Sequence, residues 1–95
     1  MDKLVLAANQ GNVKAQCNLG FCYYTGDGVL KDLKEAVRYY RLAADQGDAQ
    51  AQYNLGVCYE NGDGVLKDLK EAFRYYRLAA DQGDAGAQCI LGFVI

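Results

Sequence analysis

Apolar residues recur at helical spacing along two alternating kinds of segment. Ala15, Leu19, Cys22 and Tyr23 fall at i, i+4, i+7 and i+8, which aligns them on one side of a helix. Leu33, Ala36, Val37, Tyr40 and Ala44 form a second stripe of the same period, the pattern of a helix with one buried face. Gly11 closes the preceding helix, because glycine takes the left-handed C′ position without a Cβ penalty. Asn12, replaced by Asp48 and Asp84 further on, offers a side-chain oxygen as N-cap. These signals predict a helix A over 13–25 and again over 49–61. Gly26-Asp27-Gly28 and Gly62-Asp63-Gly64 supply the turn that follows. Helix B opens at Asp32-Leu33-Lys34-Glu35 and its copy Asp68-Leu69-Lys70-Glu71. This is an aspartate capping box, in which the Asp accepts from an early N–H and the Glu is expected to reach back. Arg38 and Arg41 further along suit the helix dipole.

The same pattern repeats. Ala7-Ala8 returns as Ala43-Ala44 and Ala79-Ala80, and Leu19-Gly20 as Leu55-Gly56 and Leu91-Gly92, a period of 36 residues. Between 7–42 and 43–78 only nine positions differ. A fixed period of about 20–50 residues marks a stacked array whose units cannot bury their apolar faces alone. The chain divides as one repeat domain, 1–95: a partial helix B at 1–6, repeat 1 at 7–42, repeat 2 at 43–78 and a partial repeat at 79–95. Small residues at Gly20, Ala36, Ala43 and Ala44 mark where helices must approach closely. The expected architecture is all-α, an α/α superhelical solenoid of antiparallel helix pairs.

The run Ala51-Gln52-Tyr53-Asn54-Leu55-Gly56-Val57-Cys58-Tyr59, then Gly62-Asp63-Gly64-Val65, Asp68, Ala72, Tyr75-Tyr76 and Ala79-Ala80, resembles a Sel1-like repeat. Tetratricopeptide repeats are near relatives, but run 34 residues with a Pro near the end. The resemblance implies an α/α superhelix that serves as an adaptor or scaffold without catalysis of its own. Some secreted members of that family staple each helical pair with a disulfide. Here helix B carries no cysteine, and the expected location is cytoplasmic.

Ten basic against twelve acidic residues, interspersed, give a formal charge of −2. The basic excess that drives phosphate binding is missing, so no nucleic-acid partner is expected. No apolar run approaches the ~20 residues of a membrane span, so no membrane partner is expected either. Histidine is absent, which removes the usual general base and the commonest zinc ligand. Of the four cysteines, Cys17 and Cys22 lie about 140° apart around one helix. Cys22 and Cys58 stand one repeat apart. Free, buried thiols are expected, with no metal and no cofactor. The Gly-Asp-Gly turns lack the Gly-Lys-Ser/Thr ending of a phosphate loop and the alternating acids of a calcium loop.

Eight of the nine differences between copies lie in or beside helix A, the helix that lines the concave side of an α-solenoid. Lys14, Asn18, Phe21, Tyr24 and Thr25, with Gln50, Asn54, Val57, Glu60 and Asn61, are therefore the candidate groove. Tyr24 is the surface candidate among the tyrosines, since it does not recur whereas Tyr23, Tyr39 and Tyr40 do. Glu60 is the sole acid in the set, too little for paired-carboxylate or nucleophilic catalysis, so no enzyme is expected. The function expected is a scaffold or adaptor that binds a protein or peptide through the concave helix A face. The alternative is a designed or truncated repeat module with a structural or self-assembly role and no natural ligand. A helix over 84–95 without a following helix B leaves Phe93, Val94 and Ile95 as a candidate homo-oligomer contact.

Overall fold

The computed structural model describes residues 2–91, with side-chain surroundings given through residue 88. Six helices follow one another: α1 (Asp2–Asn9), α2 (Val13–Thr25), α3 (Leu33–Asp45), α4 (Ala49–Asn61), α5 (Leu69–Asp81) and α6 (Ala85–Leu91). Among the described residues there is no strand. Helices α2 and α4 are the predicted A helices, and α3 and α5 are B helices. Extensive packing joins only helices adjacent in sequence, as a solenoid requires. The molecule is accordingly elongated, 41 × 24 × 19 Å.

The caps fix the boundaries. Asn12, Asp48 and Asp84 accept from the N–H groups of Ala15, Ala51 and Ala87 at 2.8, 2.8 and 2.9 Å. Asp32 and Asp68 cap α3 and α5 in the same way. The reciprocal half of the expected capping box is not made. Glu35 and Glu71 turn forward to Arg38 and Arg74 at 2.6 and 2.8 Å, while the Asp32 and Asp68 N–H groups donate to the carbonyls of Tyr23 and Tyr59. An ion pair one turn ahead replaces the carboxylate bond to the backbone N–H behind, and the freed N–H ties helix B to the end of helix A.

Close approach within each pair depends on one glycine. A Cβ on Gly20 would stand 2.7 Å from the Tyr40 ring and 3.2 Å from the Ala36 carbonyl. Gly56 meets Tyr76 and Ala72 in the same way. The core runs through the array as linked clusters of Leu19, Leu55, Tyr40, Tyr76, Cys58 and the small alanines. Tyrosine rings interleave the helices: Tyr23 stacks on Tyr39 and Tyr59 on Tyr75, each pair with centroids 5.9 Å apart.

A buried amide relay runs beside this core. Gln16 Nε2 donates to the Ala8 carbonyl at 3.1 Å, and its Oε1 accepts from Gln46 Nε2 at 2.7 Å. Gln52 repeats the arrangement with Ala44 and Gln82, and Gln88 donates to Ala80. Each glutamine adds a second bond to a carbonyl at the C-terminal end of the preceding B helix, which also accepts from the N–H of Gly11, Gly47 or Gly83.

Candidate functional site

The groove residues stand on α2 and α4, and the structure brings some of them together and not others. Phe21, Tyr24, Asn54 and Val57 line one concavity of ≈260 Å³ with Tyr40 and Tyr53. Lys14 lies near the other end of α2, exposed, with its ammonium 3.7 Å from Asp48. Asn18 and Asn61 are exposed outside that lining. Thr25 turns its hydroxyl onto the Phe21 carbonyl at 2.9 Å, and Gln50 donates to Asn54 at 3.0 Å. Glu60 accepts from Tyr76 Oη at 2.6 Å.

Tyr24, the surface candidate among the tyrosines, is more open than Tyr39 and Tyr40 but not free. It is half-buried, its ring tilts against Tyr40 at 6.4 Å, and its hydroxyl donates to Asp63 Oδ2 at 2.8 Å. That bond, and then burial, pushes the phenol up to about 12. The partner aspartate belongs to the Gly62-Asp63-Gly64 turn, so the turn also clasps the preceding helix A. Position 24 therefore joins consecutive units, whereas Glu60 in the equivalent place bonds within its own unit.

Two lining residues were missed from sequence. Tyr40 reads as core and is core, yet it is also among the residues that line the concavity. Tyr53 stands opposite Cys17 in the repeat alignment. It was one of the varying positions, and its i, i+4 relation to Val57 was the signal that would have placed it. Its ring tilts against Tyr76 with centroids 5.6 Å apart.

Burial, then Asp48, lifts the Cys17 thiol to about 12, and burial, then Asp63, lifts Cys58 to about 12. Such thiols stay protonated and unreactive near neutral pH. Cys17, Cys22 and Cys58 are unpaired with one another, as read from their spacing, and the side chain of Cys89 lies outside the described part. Among the described residues no three potential metal ligands gather, and no helix is long and apolar enough to cross a membrane. A second concavity of ≈330 Å³ lies along α3, lined by Lys34, Val37, Arg38, Arg41, Leu42 and Asp45. Its two guanidinium groups are already engaged, Arg38 by Glu35 and Arg41 by Tyr59. The proposed self-association residues Phe93, Val94 and Ile95 lie outside the described residues.

Antiparallel A/B pairs stacked at a 36-residue step, with extensive packing only between successive helices among the described residues, define an α/α solenoid. A family model described as the Sel1 repeat matches residues 13–48 and 49–84, and the chain belongs to the Sel1 repeat family. The model's register starts at helix A, with the same 36-residue step. Similar solved structures agree. The antigen c5321, a protective antigen of uropathogenic Escherichia coli strains displaying an SLR fold, is 45% identical with a TM-score of 0.91 over 93% of this chain and 19% of that one. A Sel1 repeat protein from Oxalobacter formigenes is 42% identical, TM-score 0.92, over 98% and 38%. Helicobacter pylori cysteine rich protein B is 31% identical, TM-score 0.86, over 92% and 65%. The chain therefore spans less than two thirds of the length of each. No curated protein matches the chain. Proteins of this family are generally protein–protein interaction modules, and the fold is typically a non-enzymatic scaffold.

Proposed function

We propose that this chain is an interaction module, not an enzyme, that holds a protein or peptide partner along the α2–α4 face. The observation that carries the reading is the concavity at Phe21, Tyr24, Asn54 and Val57. Phe21 keeps 54% of its surface in solvent there, although it sits mid-helix beside a well-packed core. An exposed aromatic ring in a recess, flanked by polar groups, is the kind of anchor point that dominates binding energy at interfaces. The same stretch of helix A is where the two repeats differ most, while the packing residues are kept. Residues 1–95 act as one repeat domain in this reading. Unpaired thiols at Cys17, Cys22 and Cys58 support a cytoplasmic setting.

The test is a peptide library displayed on phage and selected on the chain. Binders are re-measured on Phe21→Ser/Val57→Ser and on a control, Leu30→Ser, at a turn 90% exposed on a different part of the surface. Loss of at least about tenfold in affinity on the groove variant, with the control unchanged, is the expected result. Selected peptides that bind the groove variant as well as the parent would sink the proposal.

A further inference from the structure

The walls of the concavity are aromatic and its surroundings are acidic. Tyr24 tilts against Tyr40 and Tyr53 against Tyr76, and Phe21, half-exposed, shares the lining with Tyr24, Tyr40 and Tyr53. No lysine or arginine is among the lining residues. Asp63 and Glu60 accept hydrogen bonds from the Tyr24 and Tyr76 hydroxyls. A phenol that donates to a carboxylate is polarised toward its ring, which deepens the negative face of the π-system. Tyr24 and Glu60 are the next-to-last residues of α2 and α4, where the negative end of the helix dipole adds further negative potential. A recess with these properties attracts a cation by ring faces, carboxylates and helix ends together.

The rest of the molecule shows what this chemistry does with a cation. Arg38 lies 4.3 Å from the Tyr39 ring centroid, Arg74 4.4 Å from Tyr75 and Arg41 5.7 Å from Tyr59. The rings that line the concavity have no such partner among the described residues. Its ≈260 Å³ lies below the roughly 300–1,000 Å³ of pockets that enclose a whole drug-sized ligand. It suits one long side chain, whose methylenes lie on Phe21 and Val57 while the charged head meets the tyrosines.

Resting on the proposed partner-binding face, we infer that the Phe21–Tyr24–Tyr53 concavity takes the arginine side chain of a basic segment of the partner protein. Arginine is favoured over lysine because its planar, weakly hydrated guanidinium stacks on aromatic faces.

The test titrates the 95-residue chain with a capped seven-residue peptide carrying one arginine among glycines and serines, and with its citrulline and glutamate counterparts. Binding is followed by aromatic NMR shifts. The arginine peptide is expected to shift Phe21, Tyr24 and Tyr53 saturably and to bind at least about fivefold tighter than the citrulline peptide, equivalent to ~1 kcal/mol. Phe21→Leu, which keeps an apolar, half-exposed position and the fold, is expected to remove most of that preference. Equal binding of the arginine and citrulline peptides at these residues overturns the cation inference and leaves the groove as a partner face. Arginine-dependent shifts that map to the acidic turns instead, or that Phe21→Leu leaves unchanged, overturn it too. So does the absence of saturable shifts with any of the three peptides.

Discussion

Helices α3 and α5 differ at one residue, Val37 against Phe73, and are capped alike, yet they live in different surroundings. Val37 is 5% exposed, in a cluster with Tyr75 and with Tyr59 and Val65 packed against that cluster. Phe73 is 49% exposed, and so is Leu69, whereas its counterpart Leu33 is half-buried. Around Val37 the cover comes from the unit that follows. Gly64, in the turn after α4, sits so close to the Leu33 carbonyl that a Cβ there would collide with it. Arg41 reaches the following helix A and donates to Tyr59 Oη at 2.7 Å, while Arg77 is exposed. Burial in a solenoid is thus decided by the neighbouring unit more than by a residue's own helix.

The largest expected effect follows directly. Val37→Asp places an unpaired carboxylate in a packed cluster, and costs about 3–5 kcal/mol or unfolds the chain. Phe73→Asp, in the same place one repeat later, removes a half-exposed ring paired T-shaped with Tyr76 and costs only about 1 kcal/mol. Urea unfolding followed by far-UV circular dichroism measures both. Similar losses for the two variants would break the comparison.

The amide relay should show the opposite behaviour, because it is alike in both units. Gln16→Met and Gln52→Met keep the side-chain length but remove the bond to the Ala8 or Ala44 carbonyl and the one from Gln46 or Gln82. The carbonyls still accept from the Gly11 and Gly47 N–H groups, so the cost is about 1–2 kcal/mol at either site. A marked inequality between the two variants would mean that the unit ends reach further into the array than side-chain exposure suggests.

Local rules explain how much of this was legible in the sequence. The spans of α2 and α4 follow from one N-cap and one glycine each, so they could be read from single residues. The close approach at Gly20 and Gly56 was visible because a small residue recurs inside an apolar stripe. What escaped depends on residues distant in sequence. Gln16 reads as an ordinary polar helical residue until α1 presents the Ala8 carbonyl to it. Asp63 reads as a turn residue until Tyr24, 39 positions earlier, reaches it. Glu35 had two partners in range, and only the folded geometry shows that Arg38 wins. Phe21, Tyr24, Asn54 and Val57 share a concavity while Lys14, Asn18, Gln50 and Asn61 do not line it, a distinction set by inter-helix geometry.

A smaller effect tests the point at which the two units diverge, position 24 against position 60. Tyr24→Phe keeps the ring and removes the bond to Asp63, for a loss of about 1 kcal/mol near neutral pH. The folded phenol is raised to about 12 from the ordinary ~10. Its contribution is therefore complete below about pH 10 and is lost as the pH rises through about 12. Unfolding curves of the parent and Tyr24→Phe should converge over that range. A stability gap that stays constant from neutral to strongly alkaline pH would contradict the assigned bond.

The smallest expected effect lies on the outward face, where both units look the same to solvent. Arg38 Nε meets Glu35 at 2.6 Å and Arg74 Nε meets Glu71 at 2.8 Å, each pair at i, i+3 with its arginine about half exposed. The bond from Arg74 holds the Glu71 carboxyl below its ordinary value, so the pair's contribution is present above the ordinary carboxylate range and fades as the pH falls through the lowered value. Exposure discounts it: water and salt screen the attraction, and ordering two long side chains opposes it. Each guanidinium also lies over a tyrosine ring, Tyr39 or Tyr75, which adds packing that salt does not screen. Arg38→Gln and Arg74→Gln are therefore each expected to lose about 0.5 kcal/mol at low ionic strength. Part of that loss should disappear at about 1 M salt and part should persist. Equal values in the two repeats would show that the outward face is blind to the unit that follows, unlike the face that carries Val37 and Phe73. A loss above about 1.5 kcal/mol at one site alone would show that neighbour coupling extends to this face as well.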